Sequence, residues 1–137
     1  MINSYTTTTQ TLATDALVVF ANDKIKTGCT VTHAAGSTTF TLNRPGYYFI
    51  TFNADATTAD AAGNVTLGLY QNGISVLGAE ATNYAAAAVN ISNMAFSAII
   101  QVRPSCCAVS NTTNLTVVNT GVEATVTNAN IVITKLA

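Results

Sequence analysis

Hydrophobic and polar residues alternate along much of this chain, most clearly over Gly46–Ala56. A period of two places successive side chains on opposite faces of an extended strand. One face of this predicted strand would carry Tyr48, Ile50, Phe52 and Ala54. The other face would carry Tyr47, Phe49, Thr51 and Asn53. Because aromatic rings occur on both faces, we expect both faces to be covered in the folded protein.

The segment Val65–Leu77 predicts a β-hairpin. Apolar and polar residues alternate on both sides of its centre, where Asn72 is followed by Gly73. Asn and Gly readily adopt the positive φ angles that a two-residue hairpin turn requires. The strands on either side of this turn are therefore predicted to pair antiparallel.

Shorter apolar or alternating runs predict further strands over Leu17–Ala21, Thr38–Leu42, Asn90–Val102, Asn114–Asn119 and Asn130–Leu136. The alanines of Ala85–Ala88 could form a helical turn, but four residues are too few to nucleate a helix, which favours a loop or a strand entry. About eight strands in a chain of this length predict an all-β, two-sheet antiparallel jelly-roll sandwich. We expect residues 1–13 to form an extended leader and residues 14–137 to form a single domain.

Charge is scarce in this sequence. Only 8% of the residues are charged, the net charge is −1, and 49% of the residues are hydrophobic. Five basic residues are too few for a phosphate-binding surface, so nucleic-acid binding is not expected. The apolar runs are too short for a membrane span, and the N-terminus shows no secretion signal. Because weak electrostatic repulsion favours association, we expect part of the surface to be used in subunit contacts.

The residue types that carry most enzyme chemistry are sparse. His33 is the sole histidine, and no Gly-x-Ser-x-Gly elbow accompanies it, so no catalytic residue is predicted and His33 is expected to be satisfied or exposed at a strand end. Cys106 and Cys107 are adjacent, unlike the cysteines of structural zinc sites, even with Cys29 added. Free and mostly buried thiols are the expected state, and no cofactor is predicted.

Two binding alternatives remain open at this stage. Asp55 and Asp60, together with nearby Asn53 and Asn64, could supply oxygen ligands to calcium, although their spacing does not match the twelve-residue calcium loop. Turn-forming, solvated carboxylates are therefore the favoured interpretation, and no metal site is predicted. The second alternative is a sugar-binding surface, for which the candidate residues are Tyr70, Asn83 and Tyr84.

One stretch resembles a known superfamily. Phe40, Gly46, Tyr48 and Ile50 reproduce the spacing of a strand motif of the tumour necrosis factor and complement globular-head superfamily. The segments 65–78 and 129–136 are similar to the hairpin and the closing strand of its bacterial and phage members. The resemblance implies a jelly roll that assembles as a homotrimer with one sheet facing the threefold axis. Residues that it makes candidates for the trimer interface are Tyr47, Phe49, Phe96, Ile99 and Val132.

These observations lead to a functional hypothesis. We expect a non-enzymatic, trimeric structural protein of a phage virion, such as a head fibre, a capsid decoration or a tail adhesin module. Its partners would be two further copies of the chain and other virion proteins, with neither nucleic acid nor membrane involved. The alternative is the tip of a bacterial cell-surface or spore-surface filament that binds a carbohydrate, such as a host-surface glycan.

Overall fold

The fold is all-β, as the alternation predicts. The computed structural model describes residues 1–106 and 112–137, and over these residues it contains no helix. Eleven strands are present in the described part of the chain. In chain order, β1 to β11, they are Ile2–Thr6, Gln10–Leu12, Asn22–Lys26, Val31–Thr32, Phe40–Leu42, Gly46–Thr58, Gly63–Gln71, Ile74–Ala85, Ser92–Val102, Thr113–Asn119 and Ala124–Lys135.

The strands form two antiparallel sheets. Sheet A has the order β3-β1-β11-β6-β9, with β2 pairing a further part of β11, and sheet B has the order β4-β5-β10-β7-β8. Consecutive strands repeatedly belong to different sheets, which is the connectivity of a jelly roll. The described residues include no helix long and apolar enough to cross a membrane.

The core lies between the two sheets. Along β6, the face of Tyr48, Ile50, Phe52 and Ala54 is fully buried, so the predicted alternation is confirmed. The ring of Phe52 stacks on Phe96 at 5.0 Å between centroids, and Phe20 meets Phe40 edge-on at 5.2 Å. Offset and edge-to-face ring pairs of this kind add to the stabilisation that burial provides.

The predicted hairpin is confirmed. Asn72 and Gly73 have φ angles of 51° and 79°, and Gln71 pairs with Ile74 across the turn. The side-chain oxygen of Asn72 accepts a hydrogen bond from the backbone N–H of Asn114 at 2.8 Å. The turn is therefore fastened to β10, the neighbouring strand of sheet B.

The prediction of a leader over residues 1–13 is wrong. Strand β1 lies inside sheet A, paired to β11 on one side and to β3 on the other, and β2 also pairs with β11. Ile2 is 0% exposed, and Ser4 and Thr6 follow it on the same buried face. Two of these three inward residues are polar, so hydrophobicity gives only a weak sign of the strand.

The predicted strand at 17–21 is also wrong. This segment makes single bridges, Leu17 to Val118 and Phe20 to Ser37, in place of a continuous ladder. The backbone of this segment therefore passes from one neighbouring segment to another. A regular strand would stay paired with the same neighbour along its length.

Asn119 fastens the N-terminal segment to the sandwich. Its side chain is 0% exposed and donates to the carbonyl oxygens of Leu12, Ala13 and Val122 at 3.0, 3.3 and 2.8 Å. Its side-chain oxygen accepts from the N–H of Gly121 at 3.1 Å. Four backbone groups from two distant parts of the chain thus depend on one amide.

We expect the Asn119→Ala substitution to lower the free energy of unfolding by about 2 kcal/mol, because it removes the partners of buried backbone groups. Denaturant unfolding at a fixed chain concentration measures this change. The exposed loop residue Asn90 supplies the control, since Asn90→Ala should stay within about 0.5 kcal/mol of the wild type. Equal effects of the two substitutions would contradict the anchoring role of Asn119.

Candidate functional site

The outer face of sheet A carries exposed apolar side chains at its centre. Tyr47 and Phe49 on β6 are 48% and 37% exposed, and Ile99 on β9 is 62% exposed. Phe49 lies directly opposite Ile99 on one side and Thr134 of β11 on the other. Side chains directly opposite one another in adjacent strands have their Cβ atoms about 5 Å apart, so these residues form one continuous surface.

Two further residues extend this surface. Val132 on β11 is half-buried and lies opposite Thr51 of β6, one diagonal step from Phe49. Leu136 is 55% exposed, and its N–H donates to the carbonyl oxygen of Tyr47 at 2.8 Å. We refer to the five apolar residues as the sheet A patch; they are Tyr47, Phe49, Ile99, Val132 and Leu136. The spans 47–53, 95–101 and 130–134, which carry most of this face, contain no charged residue.

Phe96 does not belong to the sheet A patch, which corrects its prediction as a trimer contact. Its side chain is only 8% exposed and stacks on Phe52 in the core. The reason is the period of two in β9, since Phe96 and Ile99 differ by an odd number of residues and must point to opposite faces. The resemblance identified β9 as an interface strand but did not distinguish its outer face, which carries Ile99, from its inner face, which carries Phe96.

Two further exposed apolar side chains lie on β8, an edge strand of sheet B, at positions three residues apart that point to opposite faces of the strand. Ile74 and Leu77 are 73% and 94% exposed, and among the strands of residues 1–106 and 112–137, β8 pairs with β7 alone. We refer to these two residues as the edge patch. The edge patch is aliphatic and lies at the edge of a sheet, whereas the sheet A patch lies on a sheet face and includes two aromatic rings. The described residues therefore include exposed apolar side chains both on a sheet face and along a sheet edge.

His33 is buried and both of its ring nitrogens are occupied. Nδ1 lies 2.6 Å from Oδ1 of Asp23, and Nε2 lies 3.0 Å from the carbonyl oxygen of Ser37. Each ring nitrogen therefore faces one hydrogen-bond acceptor. The ring also stacks on Phe40 at 4.2 Å with an angle of 14° between the planes. The sequence allowed His33 to be either hydrogen-bonded or exposed at a strand end, and the structure shows it buried and hydrogen-bonded.

The Asp23 carboxylate joins His33 to two other groups. Ser4 Oγ donates to Oδ1 at 2.6 Å, and Lys26 Nζ lies 3.7 Å from Oδ2. Although serine, aspartate and histidine are all present, the carboxylate stands between the other two, so His33 cannot take a proton from Ser4 as it would in a catalytic triad. The pairing of His33 with Asp23, ten positions away, was missed at the sequence level because no local motif marks it.

Burial raises the pKa of Asp23, but hydrogen bonds from Ser4 and His33 and the positive charges of His33 and Lys26 outweigh it, and the pKa lies below its usual value of 3.8. The carboxylate side chain is 13% exposed. Asp23 therefore contributes stability while it is ionised, and this contribution is lost on acidification.

Two of the four residues considered as calcium ligands, Asp55 and Asn53, accept hydrogen bonds from side-chain amides. The carboxylate of Asp55 accepts from Asn93 at 3.2 Å and from Asn128 at 3.4 Å, and Asn53 accepts from Asn130 at 3.4 Å. Among the residues that the structure describes, no group of three or more His, Cys, Asp and Glu side chains is placed to hold a metal ion.

The cysteines depart from their predicted burial. Cys29 and Cys106 are both exposed, because they lie in connections at the rim of the sandwich and not on an inward face of a strand. Cys107 lies outside the described residues.

The three predicted sugar-binding residues do not form one site. Tyr70 and Tyr84 both project from the outer face of sheet B, but Tyr84 pairs with Asn64, six residues along β7 from Tyr70. At about 3.3 Å per residue, the two rings lie about 20 Å apart. Asn83 points the other way and donates to Ser92 Oγ of β9 at 2.5 Å, so it bridges the edges of the two sheets.

Solved structures share this arrangement of strands. Eiger TNF from S. frugiperda superposes with a TM-score of 0.71 and 13% identity, covering 99% of this chain and 92% of that chain. The chain has the TNF-like jelly-roll fold. Murine APRIL at pH 5.0 shares the TNF-like fold with a TM-score of 0.69 and 8% identity, over 98% of both chains. The PRD1 vertex protein P5 shares it with a TM-score of 0.60 and 15% identity, over 99% of this chain and 96% of that one.

Identities this low establish the fold alone. No protein-family model and no curated protein sequence matches the chain. The resemblance noted in the motif around Phe40 and Gly46 is thus supported at the level of the TNF-like architecture.

Proposed function

We propose that this chain is a non-enzymatic structural protein that assembles as a homotrimer in a phage virion. The observation that carries the proposal is the sheet A patch, an uncharged aromatic surface on an otherwise well-packed sandwich. Exposed apolar surface of this kind on a soluble domain is typical of a protein–protein interface. The occupant that we propose is a second copy of the same chain.

The presence of exposed apolar side chains both on a sheet face and along a sheet edge favours a ring. When the edge patch of one subunit contacts the sheet A patch of the next, every subunit uses both surfaces once. Such heterologous contacts close into a cyclic oligomer when the rotation permits. Three is the number of subunits that the resemblance to the TNF-like superfamily implies.

The virion assignment rests on two lines of support. The sequence segments 65–78 and 129–136 resemble bacterial and phage members of the superfamily, and one of the similar solved structures is a vertex protein. His33, the sole histidine, is buried with both ring nitrogens facing acceptors, which favours a structural role for this residue.

The oligomeric state tests the assembly. Light scattering coupled to size-exclusion chromatography should give three times the chain mass of 14.1 kDa at micromolar concentration. A homogeneous monomer at that concentration would contradict the proposal. A dimer would contradict the ring of three and favour a face-to-face contact instead.

The location requires a separate experiment. Mass spectrometry of purified particles of the virus that encodes this chain should detect it at a fixed ratio to the capsid proteins. Detection only on bacterial cells or spores would overturn the virion assignment in favour of a surface filament, while leaving the trimer intact.

A further inference from the structure

The outer face of sheet B contains a groove of about 620 Å³ over strand β10. On one side of β10, β5 pairs with residues 113–115, and the segment around Leu17 pairs with Val118. Between these two neighbours the ladder is open at Thr116, which leaves a trough along the strand. From Asn114 to Val118 this floor is about 13 Å long, at about 3.3 Å per residue.

The groove is lined by groups that suit a hydroxyl-rich ligand. The ring of Tyr70 lies opposite Thr116 in the register of β7 and β10, and Asp15 and Asn72 lie towards the two ends. Over residues 1–106 and 112–137, no protein group is hydrogen-bonded to the Asp15 carboxylate or to the hydroxyls of Tyr70 and Thr116. These groups are available to a ligand.

Several of these groups are held in place by the fold. Asn72 and Asn114 are joined by two bonds of 2.8 Å, and Thr41 donates to the side-chain oxygen of Asn114 at 3.2 Å. The Nδ2 group of Asn114 remains as a donor for a ligand. Asp15 has a φ of 68°, which is uncommon for a residue other than glycine. Its backbone N–H donates to the carbonyl oxygen of Asn119 at 2.6 Å. Groups that are positioned in advance reduce the entropy lost on binding.

We infer that this groove binds a neutral saccharide. The ring of Tyr70 would stack on the apolar face of a sugar ring, the Asp15 carboxylate would accept hydrogen bonds from its hydroxyls, and Asn114 would donate to a ring or hydroxyl oxygen. Asp15 is the only charged residue among those lining the groove, so it would repel sialylated or phosphorylated glycans.

The inference depends on the proposed function only in taking the outer face of sheet B over β10, away from the β8 edge, as a surface that the trimer leaves exposed. It adds saccharide binding to the assembly of the trimer. The volume lies within the range of small-molecule sites, about 300–1,000 Å³, and the length of the floor suits a short oligosaccharide bound along the strand.

A glycan array tests the inference with the full chain as the probe. The array should contain neutral hexose and N-acetylhexosamine oligosaccharides beside matched sialylated and phosphorylated forms. We expect binding to a class of neutral glycans, and a loss of affinity of about tenfold or more in Tyr70→Ala and in Asp15→Asn. Asparagine tolerates the left-handed backbone at position 15, so the second variant removes the charge without straining the chain.

Matched controls separate the groove from the rest of sheet B. Tyr84→Ala removes an exposed ring from the same face, and Asp60→Asn removes an exposed carboxylate elsewhere, so both should bind like the wild type. Binding that survives Tyr70→Ala and Asp15→Asn, a preference for acidic glycans, or no binding at all would each overturn the inference. A trimer that binds no glycan would leave the proposed assembly standing, so the two outcomes are distinguishable.

Discussion

The Asp23→Ala substitution should lower the free energy of unfolding by about 2–3 kcal/mol at neutral pH, because it leaves buried hydrogen-bonding groups without their acceptor. His33, which is 4% exposed, would lose the acceptor that lies 2.6 Å from its Nδ1 atom. Ser4 would lose its acceptor as well. Denaturant unfolding at one fixed chain concentration measures the change, because association contributes to the apparent stability.

The same substitution should alter the dependence of stability on pH. The pKa of Asp23 is lower in the folded protein than its usual value of 3.8, so the contribution of Asp23 is complete above about pH 4 and is lost as the pH falls through the folded value. The wild type should therefore lose its advantage over Asp23→Ala on acidification. Unfolding curves collected from pH 7 to pH 2 should converge.

Asp60 provides the control for a carboxylate without this environment. It is exposed in the loop after β6, and Asp60→Ala should change stability by less than about 0.5 kcal/mol throughout the pH range. If the stability difference between the wild type and Asp23→Ala were the same at pH 7 and pH 2, the ionised form of Asp23 would not be the source of the stabilisation.

The Phe49→Asp substitution should convert the trimer into monomers. Phe49 lies at the centre of the sheet A patch, so the variant would bury three uncompensated carboxylates in the assembly that we propose. Light scattering should report the mass of one chain, and circular dichroism should retain the β-sheet spectrum because the side chain points away from the core. The control is Val89→Asp, which places the same charge on an exposed loop residue outside both patches and should remain trimeric.

Mixing two variants would distinguish a ring from a face-to-face contact. Leu77→Asp should also give monomers, because it disrupts the edge patch. The Phe49→Asp variant keeps its edge patch, and the Leu77→Asp variant keeps its sheet A patch. When the two are mixed, these intact surfaces should pair and form a two-chain complex that neither variant forms alone. Failure of the mixture to associate would contradict heterologous contacts, and retention of the trimer by Phe49→Asp would place the interface elsewhere.

The candidate surfaces were only partly predictable. The motif around Phe40 and Gly46 led to the right fold, and four residues of the resemblance, Tyr47, Phe49, Ile99 and Val132, lie together on one exposed face. Phe96 was misassigned because the resemblance did not distinguish the two faces of β9. The groove over β10 was not predicted, apart from Tyr70, because it is formed by residues from four separate parts of the chain.

The sequence by itself determined the local geometry. The period of two specified extended strands over 46–56 and 90–102, and Asn72-Gly73 specified a tight turn, because these preferences depend on neighbouring residues alone. Tertiary structure decided which face of β6 is buried, since both faces carry aromatic rings. It also placed Ile2 between two strands and His33 beside Asp23. Those outcomes depend on strand order and register, which are contacts between residues far apart in the chain.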